Sequence, residues 1–215
     1  HSQMEFINPI ANSYINAYSQ ATPSYLKQMY EATLASHKHA HLQSSWHQGG
    51  FLSFMSKLIR PLHILEIGTF TGFSTLCLAE GLIENGQIHT IEIRDEDANA
   101  ANTYFKQSPH ATKIYLHVGD AKEIIPTLSP TWDLIFIDAD KTGYIDYYNL
   151  VLSRLAKNGL IIVDNVLFHG DVLEENISGK SAKAIQAFNE HIQKDETTEH
   201  TILTIRDGLT LIRKK

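Results

Sequence analysis

From Pro61 onward, short apolar runs alternate with stretches of helical periodicity, and this alternation limits the possible folds more than any other feature. The runs DLIFID and GLIIVDN lack period-two alternation, which is typical of central parallel strands covered on both faces. The predicted strands are residues 64–67, 87–93, 113–118, 134–137, 160–163, 200–205 and 210–213, with helices over 74–82, 95–107, 144–155 and 180–193. The pattern predicts an α/β fold with a doubly wound sheet.

Both ends of the chain depart from this alternation. Only Arg206, Asp207 and Gly208 separate the last two predicted strands, which is too few for a crossover helix, so these strands should form an antiparallel hairpin. Residues 4–60 are expected to form a helical segment of the same domain as the α/β part, residues 61–215. The helices predicted in this segment are residues 12–20, 23–39 and 48–59. Residues 1–3, before Met4, are interpreted as a remnant outside the fold.

The composition disfavours nucleic-acid-binding, disulfide-bonded and membrane proteins. The chain has 215 residues, a hydrophobic content of 43% and a net charge of −6, so we expect one large domain without the basic stripe of a nucleic-acid binder. Cys77 is the only cysteine, which excludes an intrachain disulfide and favours a reducing, cytoplasmic setting. With no run of 18 apolar residues and no leader pattern, we expect no membrane association.

The first predicted strand leads into a glycine-bearing loop. In sheets of this kind, ligands bind beyond the carboxyl ends of the strands. There Glu66 is followed by Gly68 and Gly72, which let the backbone approach a ligand, and Ser74 begins a helix. The dinucleotide pattern Gly-x-Gly-x-x-Gly is absent, which disfavours a dehydrogenase. Ordinary turn glycines are the alternative interpretation.

The next two strand ends extend this candidate site. Glu92 closes the second strand, where its carboxylate can accept both hydroxyls of a ribose, although it could equally be a helix-entry carboxylate. Asp120 and Ala121 follow the third strand, where they could meet an adenine. Together with the glycine loop, these residues favour a nucleoside site.

A second group of polar residues follows the fourth and fifth strands. Asp138 ends one strand, and Asp164 and Asn165 end the next, so a right-handed crossover brings their side chains to one edge of the sheet. Buried carboxylates left without a partner are costly, and a divalent cation removes that cost. A set of oxygen ligands without Cys or His points to Mg²⁺ first, with Ca²⁺ or Mn²⁺ as alternatives to it, rather than zinc.

Lys141 lies three residues past Asp138 on the same loop. Beside a cation and partly desolvated, it could lose its proton near neutral pH and act as a general base; alternatively, it only neutralises the carboxylates. The remaining cation positions could take two adjacent hydroxyls of an aromatic ring, and the cation would lower the pKa of a phenol.

From about Leu42 to the C-terminus, the chain resembles the cation-dependent O-methyltransferases, which include caffeoyl-CoA and catechol O-methyltransferases and many bacterial relatives. The matching stretches are LEIGTFTGFSTLCLAEGL, FIDADKTGYIDYY, GLIIVDNVLFHGDV and RDGLTLIRK. The resemblance implies a class I methyltransferase sheet of seven strands with an antiparallel last strand. It also implies a homodimer and S-adenosylmethionine as the methyl donor.

The resemblance also implies roles for individual residues. The metal ligands would be Asp138, Asp164 and Asn165, and the catalytic residues would be Lys141 and Asp138. The donor pocket would comprise Glu66, Gly68, Gly72, Ser74, Glu92, Asp120, Ala121 and Asp138. Acceptor contacts would come from Leu42, Tyr144 and Phe168.

Two of these positions depart from the family pattern. Leu42 stands where relatives often have methionine, and Phe168 stands where they often have tryptophan. The loop over 168–182 is expected to set the acceptor, and it carries no recognisable motif.

Three functions are compatible with these features. The preferred hypothesis is a metal-assisted O-methyltransferase acting on a small catechol-like or hydroxycinnamoyl-like aromatic acceptor. The second is methylation of a hydroxylated uridine in transfer RNA, which the net charge of −6 disfavours because phosphate contacts need Lys and Arg. The third is a nucleoside-binding protein without catalysis, which the set Asp138, Lys141, Asp164 and Asn165 argues against.

Overall fold

A computed structural model describes residues 4–215, and the remnant interpreted at residues 1–3 lies outside the described residues. A single seven-stranded sheet dominates the described part of the chain. Its strands are β1 (His63–Ile67), β2 (Gln87–Glu92), β3 (Ile114–Val118), β4 (Trp132–Ile137), β5 (Leu155–Asp164), β6 (Thr198–Leu203) and β7 (Leu209–Lys214). The α-helices are α1 (Pro9–Ala17), α2 (Lys27–Ser36), α3 (Trp46–Ile59), α4 (Phe73–Ala79), α5 (Asp95–Gln107), α6 (Ala121–Ile124), α7 (Tyr144–Leu152) and α8 (Lys180–Lys194).

The strand order is β3-β2-β1-β4-β5-β7-β6. Strands β1 to β5 pair in parallel, whereas β7 is antiparallel to both β5 and β6. The order reverses between β1 and β4, and this reversal opens a crevice at their carboxyl ends. The predicted doubly wound sheet, the terminal hairpin and the antiparallel last strand are confirmed.

Each face of the sheet carries its own apolar core. On one face, Tyr148 and Phe188 from α7 and α8 pack with Ile135 and Ile161 of the central strands. On the other face, helices α2 to α5 pack on the strands, and the N-terminal segment contributes Leu26, Met29 and Leu52 to this cluster. Burial on both faces explains why the central strands lack polar alternation.

Several predicted boundaries are wrong by a few residues. Strand β2 ends at Glu92, and Ile93 turns outward with 70% of its surface exposed. Strand β5 begins at Leu155 rather than residue 160, so α7 ends earlier, at Leu152. The helix predicted over 23–39 is α2, at 27–36, preceded by a short 3₁₀ turn.

The buried face of α3 differs from its apolar pattern. The spacing of Phe51, Leu52, Met55 and Leu58 predicts one core-facing stripe. In the structure Leu52 is fully buried but Leu58 is 66% exposed. The buried residues on α3 are Gln48, Gly49, Gly50, Leu52, Ser53 and Ser56. Small residues lie there because α3 approaches α4 closely: a Cβ at Gly49 would come 2.5 Å from the Phe73 ring.

Candidate active site

The loop between β1 and α4 lies against the end of β4. Gly68 has φ +100°, and a Cβ there would fall 1.9 Å from the carbonyl oxygen of Asp138. Gly72 also has φ +100°, and a Cβ there would meet the Phe105 ring at 2.6 Å. At both positions the positive φ and the lack of space for a Cβ require glycine. These glycines allow the loop to lie at the reversal of strand order.

Glu66 is buried completely beneath this loop. Its carboxylate accepts hydrogen bonds from Ser74 Oγ at 2.6 Å and Thr90 Oγ1 at 2.7 Å, and also from the Thr75 hydroxyl. Burial raises the pKa of Glu66 to about 7, although the three hydroxyls act in the opposite direction. In this arrangement Glu66 braces the start of α4, and the Ser74 hydroxyl is engaged with it. Their predicted contacts to a donor stay predictions.

Glu92 ties the loop to the neighbouring strand. Its Oε1 accepts a hydrogen bond from the Phe70 backbone N–H at 2.7 Å, and its Oε2 accepts one from Arg94 N–H at 3.0 Å. Burial raises its pKa above the ordinary value. The contact to Arg94, the residue before α5, is the helix-entry role left open by the sequence. Each oxygen keeps acceptor capacity, so the ribose role stays a prediction.

Asp120 and Ala121 lie at the end of β3, at the start of α6. Asp120 Oδ1 accepts a hydrogen bond from Lys122 N–H at 2.9 Å and so caps this short helix. Ala121 is 7% exposed and packs in the apolar cluster on that face. The structure thus gives Asp120 a capping role, and the contact of both residues with an adenine stays a prediction.

The predicted metal ligands meet at one edge of the sheet. Asp138 directly follows β4 and Asp164 ends β5, and these strands pair in register through Ile137 and Val163. Asp164 is fully buried, whereas the neighbouring Asn165 is 9% exposed and adopts φ 64°.

The chemistry of this set fits a hard cation. Burial, and then the charge of Asp138, raise the pKa of Asp164 to about 7, and the positive charges of Arg206 and Lys141 offset this shift only in part. Among residues 4–215, no three His, Cys, Asp or Glu side chains gather as a metal site would require. The predicted set has two carboxylates, and its third member is an amide. Oxygen donors of this kind suit Mg²⁺, Ca²⁺ or Mn²⁺.

Lys141 reaches back over this corner. Its ammonium donates to the Ala139 carbonyl at 2.7 Å, to the Tyr144 hydroxyl at 2.8 Å and, more weakly, to Asp138 Oδ1 at 3.3 Å. All three donors of the ammonium group are therefore engaged. The Asp138 contact is the longest of the three, and it is the one made to a carboxylate.

The three residues expected to contact the acceptor have different positions. Tyr144 is fully buried, and its hydroxyl donates to the Asp164 carbonyl at 2.9 Å and accepts a hydrogen bond from Lys141. The direct contact predicted between Tyr144 and an acceptor stays a prediction. Leu42 is 40% exposed. Phe168 is half-buried with φ 44°, and its ring lies 5.0 Å from that of His169.

Two residues that the sequence interpretation missed complete the site. Asp207, in the β6–β7 turn, accepts hydrogen bonds from Asn165 Nδ2 and from the His169 backbone N–H, each at 2.7 Å. Gln48, near the start of α3, donates to Asp164 Oδ2 at 2.9 Å. The sequence pattern marks Asp207 only as a turn residue. Gln48 carries no signal, because it lies 116 residues from Asp164 in sequence.

The arrangement suits the transfer of a group from a nucleoside-type ligand to a hydroxyl. The glycine loop and the largely buried carboxylate of Glu92 lie on one side of the reversal of strand order. On the other side lie paired carboxylates and a lysine able to hold or move a proton. Within residues 4–215, no helix is long and apolar enough to cross a bilayer.

Comparisons with known proteins agree with this geometry. The sequence profile described as "O-methyltransferase" matches residues 16–215. A probable caffeoyl-CoA O-methyltransferase of Dictyostelium discoideum is 30% identical over 99% of this chain and 94% of its own length. A catechol O-methyltransferase of Niastella koreensis is 34% identical over 76% of this chain and 78% of its own.

Solved structures of methyltransferases resemble this chain over nearly its full length. The Podospora anserina methyltransferase PaMTH1, bound to SAH, superposes with a TM-score of 0.88 at 28% identity, covering 99% of this chain and 98% of its own. TomG of Streptomyces achromogenes, an O-methyltransferase of tomaymycin synthesis in complex with SAM, has a TM-score of 0.86 at 25% identity, covering 97% and 96%. The chain belongs to the O-methyltransferase family and is an S-adenosylmethionine-dependent enzyme of the caffeoyl-CoA and catechol type.

Proposed function

We propose that this enzyme methylates a hydroxyl of a small aromatic acceptor that carries a neighbouring oxygen, with assistance from a divalent cation, Mg²⁺ in the first place. The observation that carries the proposal is Asp164, a carboxylate with no exposed surface beside Asp138. Lys141 and Arg206 compensate this pair only in part, so a divalent cation would stabilise it further, and an acceptor with two adjacent oxygens is a ligand that such a cation could hold there. The catechol and caffeoyl-CoA relatives support this acceptor class.

Asp138, Asp164 and Asn165 would hold the cation, which would lower the pKa of an acceptor hydroxyl. Asp207 fixes the Asn165 amide through Nδ2, so the amide Oδ1 is the atom left for a ligand. Lys141 would take the hydroxyl proton once its ammonium group has given up one proton to solvent, and Tyr144 sets its position. The deprotonated acceptor oxygen would then attack the methyl carbon of S-adenosylmethionine as its carbon–sulfur bond breaks, and the electron pair of that bond would stay on sulfur. Alignment and exclusion of water supply much of the rate.

The test is transfer of a labelled methyl group to three acceptors: a catechol, a hydroxycinnamoyl thioester and undermodified transfer RNA. We expect labelling of the aromatic hydroxyls, loss of activity with EDTA, and recovery on addition of Mg²⁺. Asp164→Ala should abolish turnover, whereas Asp195→Asn, which affects a carboxylate bound to Tyr148 on another part of the surface, should not. Full activity in EDTA would contradict the role of the cation, and labelling of RNA alone would contradict the acceptor class.

The proposal includes a homodimer in the cytoplasm. In the described part of the chain, none of the nine residues of α1 is buried, and Ile10, Tyr14 and Tyr18 form an exposed apolar stripe at helical spacing. A stripe of this kind is typical of a surface that packs against a partner. Cys77 is a buried free thiol, which fits a reducing compartment. Sedimentation velocity tests the dimer: Tyr14→Glu should shift the protein to monomer.

A further inference from the structure

Gln48 joins the first turn of α3 to the end of β5. Its side chain is fully buried, and its Nε2 donates to Asp164 Oδ2 at 2.9 Å and, more weakly, to Ser44 Oγ at 3.3 Å. The other neighbour of this carboxylate oxygen is Arg206, whose Nη1 lies 3.9 Å away. A neutral amide is therefore the group in direct contact with Asp164 Oδ2.

The other end of the same amide has no partner. Gln48 Oε1 is buried and accepts no hydrogen bond from any of the described residues. An unsatisfied buried acceptor loses its hydrogen bonds to water without replacement, so it is unusual in a native structure and calls for an explanation. Since Oε1 and Nε2 belong to one planar group, the orphaned oxygen lies next to the atom that contacts Asp164.

The orientation of the amide follows from the charge beside it. Without a cation, only the NH₂ group can face the Asp164 carboxylate, because an amide oxygen there would repel it. With a positive charge between the two groups, the opposite orientation becomes favourable, since both oxygens are then drawn to the cation. A half-turn of the amide exchanges the two states without changing its volume.

We propose that Gln48 is a further residue of the cation site, whose Oε1 turns toward the cation, directly or through a water molecule on it. This inference rests on the proposed function, because it needs a cation at Asp138, Asp164 and Asn165. It adds a fourth oxygen-bearing side chain, from a helix, to ligands that come from two strand ends.

The test measures Mn²⁺ binding by the electron paramagnetic resonance of the free ion, with no donor or acceptor present. Gln48→Leu keeps the approximate size of the side chain but removes both polar atoms. We expect it to weaken Mn²⁺ binding by about 10- to 100-fold, the range found when residues that support metal ligands are changed.

Gln43→Leu is the matched control. Gln43 is also buried on the segment before α3 and also has an orphaned Oε1, but its Nε2 donates to the Tyr30 carbonyl at 3.2 Å. If the loss in Gln48→Leu came only from removing a buried amide, Gln43→Leu would show it too. We expect the control to bind Mn²⁺ like the wild type.

Gln48→Glu should change the affinity for Mn²⁺ in the opposite direction. It keeps the inference testable if Gln48→Leu does not fold. It places a second carboxylate against Asp164, so the cation-free protein should melt at a lower temperature while Mn²⁺ binds more tightly than in the wild type. Wild-type affinity in either Gln48 variant would overturn the role of Gln48 alone. Absence of Mn²⁺ binding by the wild type would overturn this inference together with the cation in the proposed function.

Discussion

The hydroxyl of Tyr144 accepts a hydrogen bond from Lys141 Nζ at 2.8 Å while the lysine also lies over the tyrosine ring, 4.9 Å from its centre. The same hydroxyl donates to the backbone carbonyl of Asp164. The general base proposed for the reaction is thus connected, through one buried tyrosine, to the backbone of a proposed metal ligand. The buried Tyr144 hydroxyl therefore helps to position both Lys141 and the backbone of Asp164.

Removing this hydroxyl should slow catalysis more than it weakens binding. In Tyr144→Phe, Lys141 loses one of its three partners and the Asp164 carbonyl loses a donor. We expect kcat to fall, by up to about 100-fold if the general base moves by about 1 Å. KM for S-adenosylmethionine should change little. Steady-state kinetics over a range of pH would measure the fall in kcat and any shift in the profile of kcat against pH.

Tyr148→Phe is the control for that variant, because Tyr148 lies on the same helix but donates to Asp195. It should reproduce any general loss of packing in α7 without the loss of kcat. Equal kcat values for Tyr144→Phe and the wild type would show that Lys141 does not depend on this contact.

The Gly68 position should tolerate no side chain. In Gly68→Ala the new Cβ would overlap the Asp138 carbonyl oxygen, and alanine would also be forced to φ +100°. We expect a loss of unfolding free energy of more than about 2 kcal/mol, since backbone strain and a steric clash act together. Urea denaturation measures the loss.

Gly179→Ala separates these two causes. Gly179 has φ +91°, yet none of the described residues lies within 4 Å of the position that a Cβ would take there. Only the conformational cost, about 1–3 kcal/mol, should therefore remain, and the loss should be smaller than in Gly68→Ala. An equal loss in the two variants would mean that the close approach to Asp138 contributes nothing.

Asp207 should hold Asn165 and the start of the loop over 168–182 in place, because it accepts a hydrogen bond from each. Asp207→Ala leaves Asn165 Nδ2 and the His169 N–H without their acceptor, and each lost partner of a buried group costs about 1–3 kcal/mol. We therefore expect lower stability in urea together with weaker cation binding. Glu199→Ala, which removes an exposed ion pair with Arg213, is the control and should change neither quantity measurably. Cation binding at the wild-type level in Asp207→Ala would separate Asp207 from the site.

Glu66 should make stability depend on pH in a defined direction. Its pKa is 4.5 when unfolded and about 7 when folded, so the folded state holds the proton more tightly. The contribution of Glu66 to the free energy of unfolding is therefore largest below pH 4.5. It decreases as the pH rises from 4.5 to about 7. Melting temperatures of the wild type and Glu66→Gln across this interval test the sign: the difference between them should change in favour of the variant as pH rises. A constant difference would contradict the raised pKa.

A cation should act in the same pH window. The pKa of Asp164 is raised to about 7 in the absence of a cation, so protons and Mg²⁺ would compete for the same carboxylate. We expect the increase in melting temperature caused by Mg²⁺ to be small at about pH 5 and to grow toward about pH 8. Asp164→Asn should lose the increase at every pH, whereas an increase of the same size at the acidic end would place the cation elsewhere.

The residue pattern by itself determined the doubly wound sheet, the terminal hairpin and the position of Asp138, Asp164 and Asn165 at neighbouring strand ends. It could do so because burial on both faces of a sheet demands uninterrupted apolar runs, and a right-handed crossover aligns the ends of parallel strands. Local spacing thus carried the information for these features.

Only the tertiary structure decided which groups complete the site. Gln48 and Asp207 reach Asp164 and Asn165 from elements 116 and 42 residues away in the chain. The Tyr144 hydroxyl accepts a hydrogen bond from Lys141, a contact that the sequence pattern did not assign. Leu58, apolar and correctly spaced for a buried stripe, is exposed because α3 presents its small residues to α4. Hydrogen bonds between distant segments and the closeness of two helices depend on how the elements pack, and periodicity within one element does not contain that information.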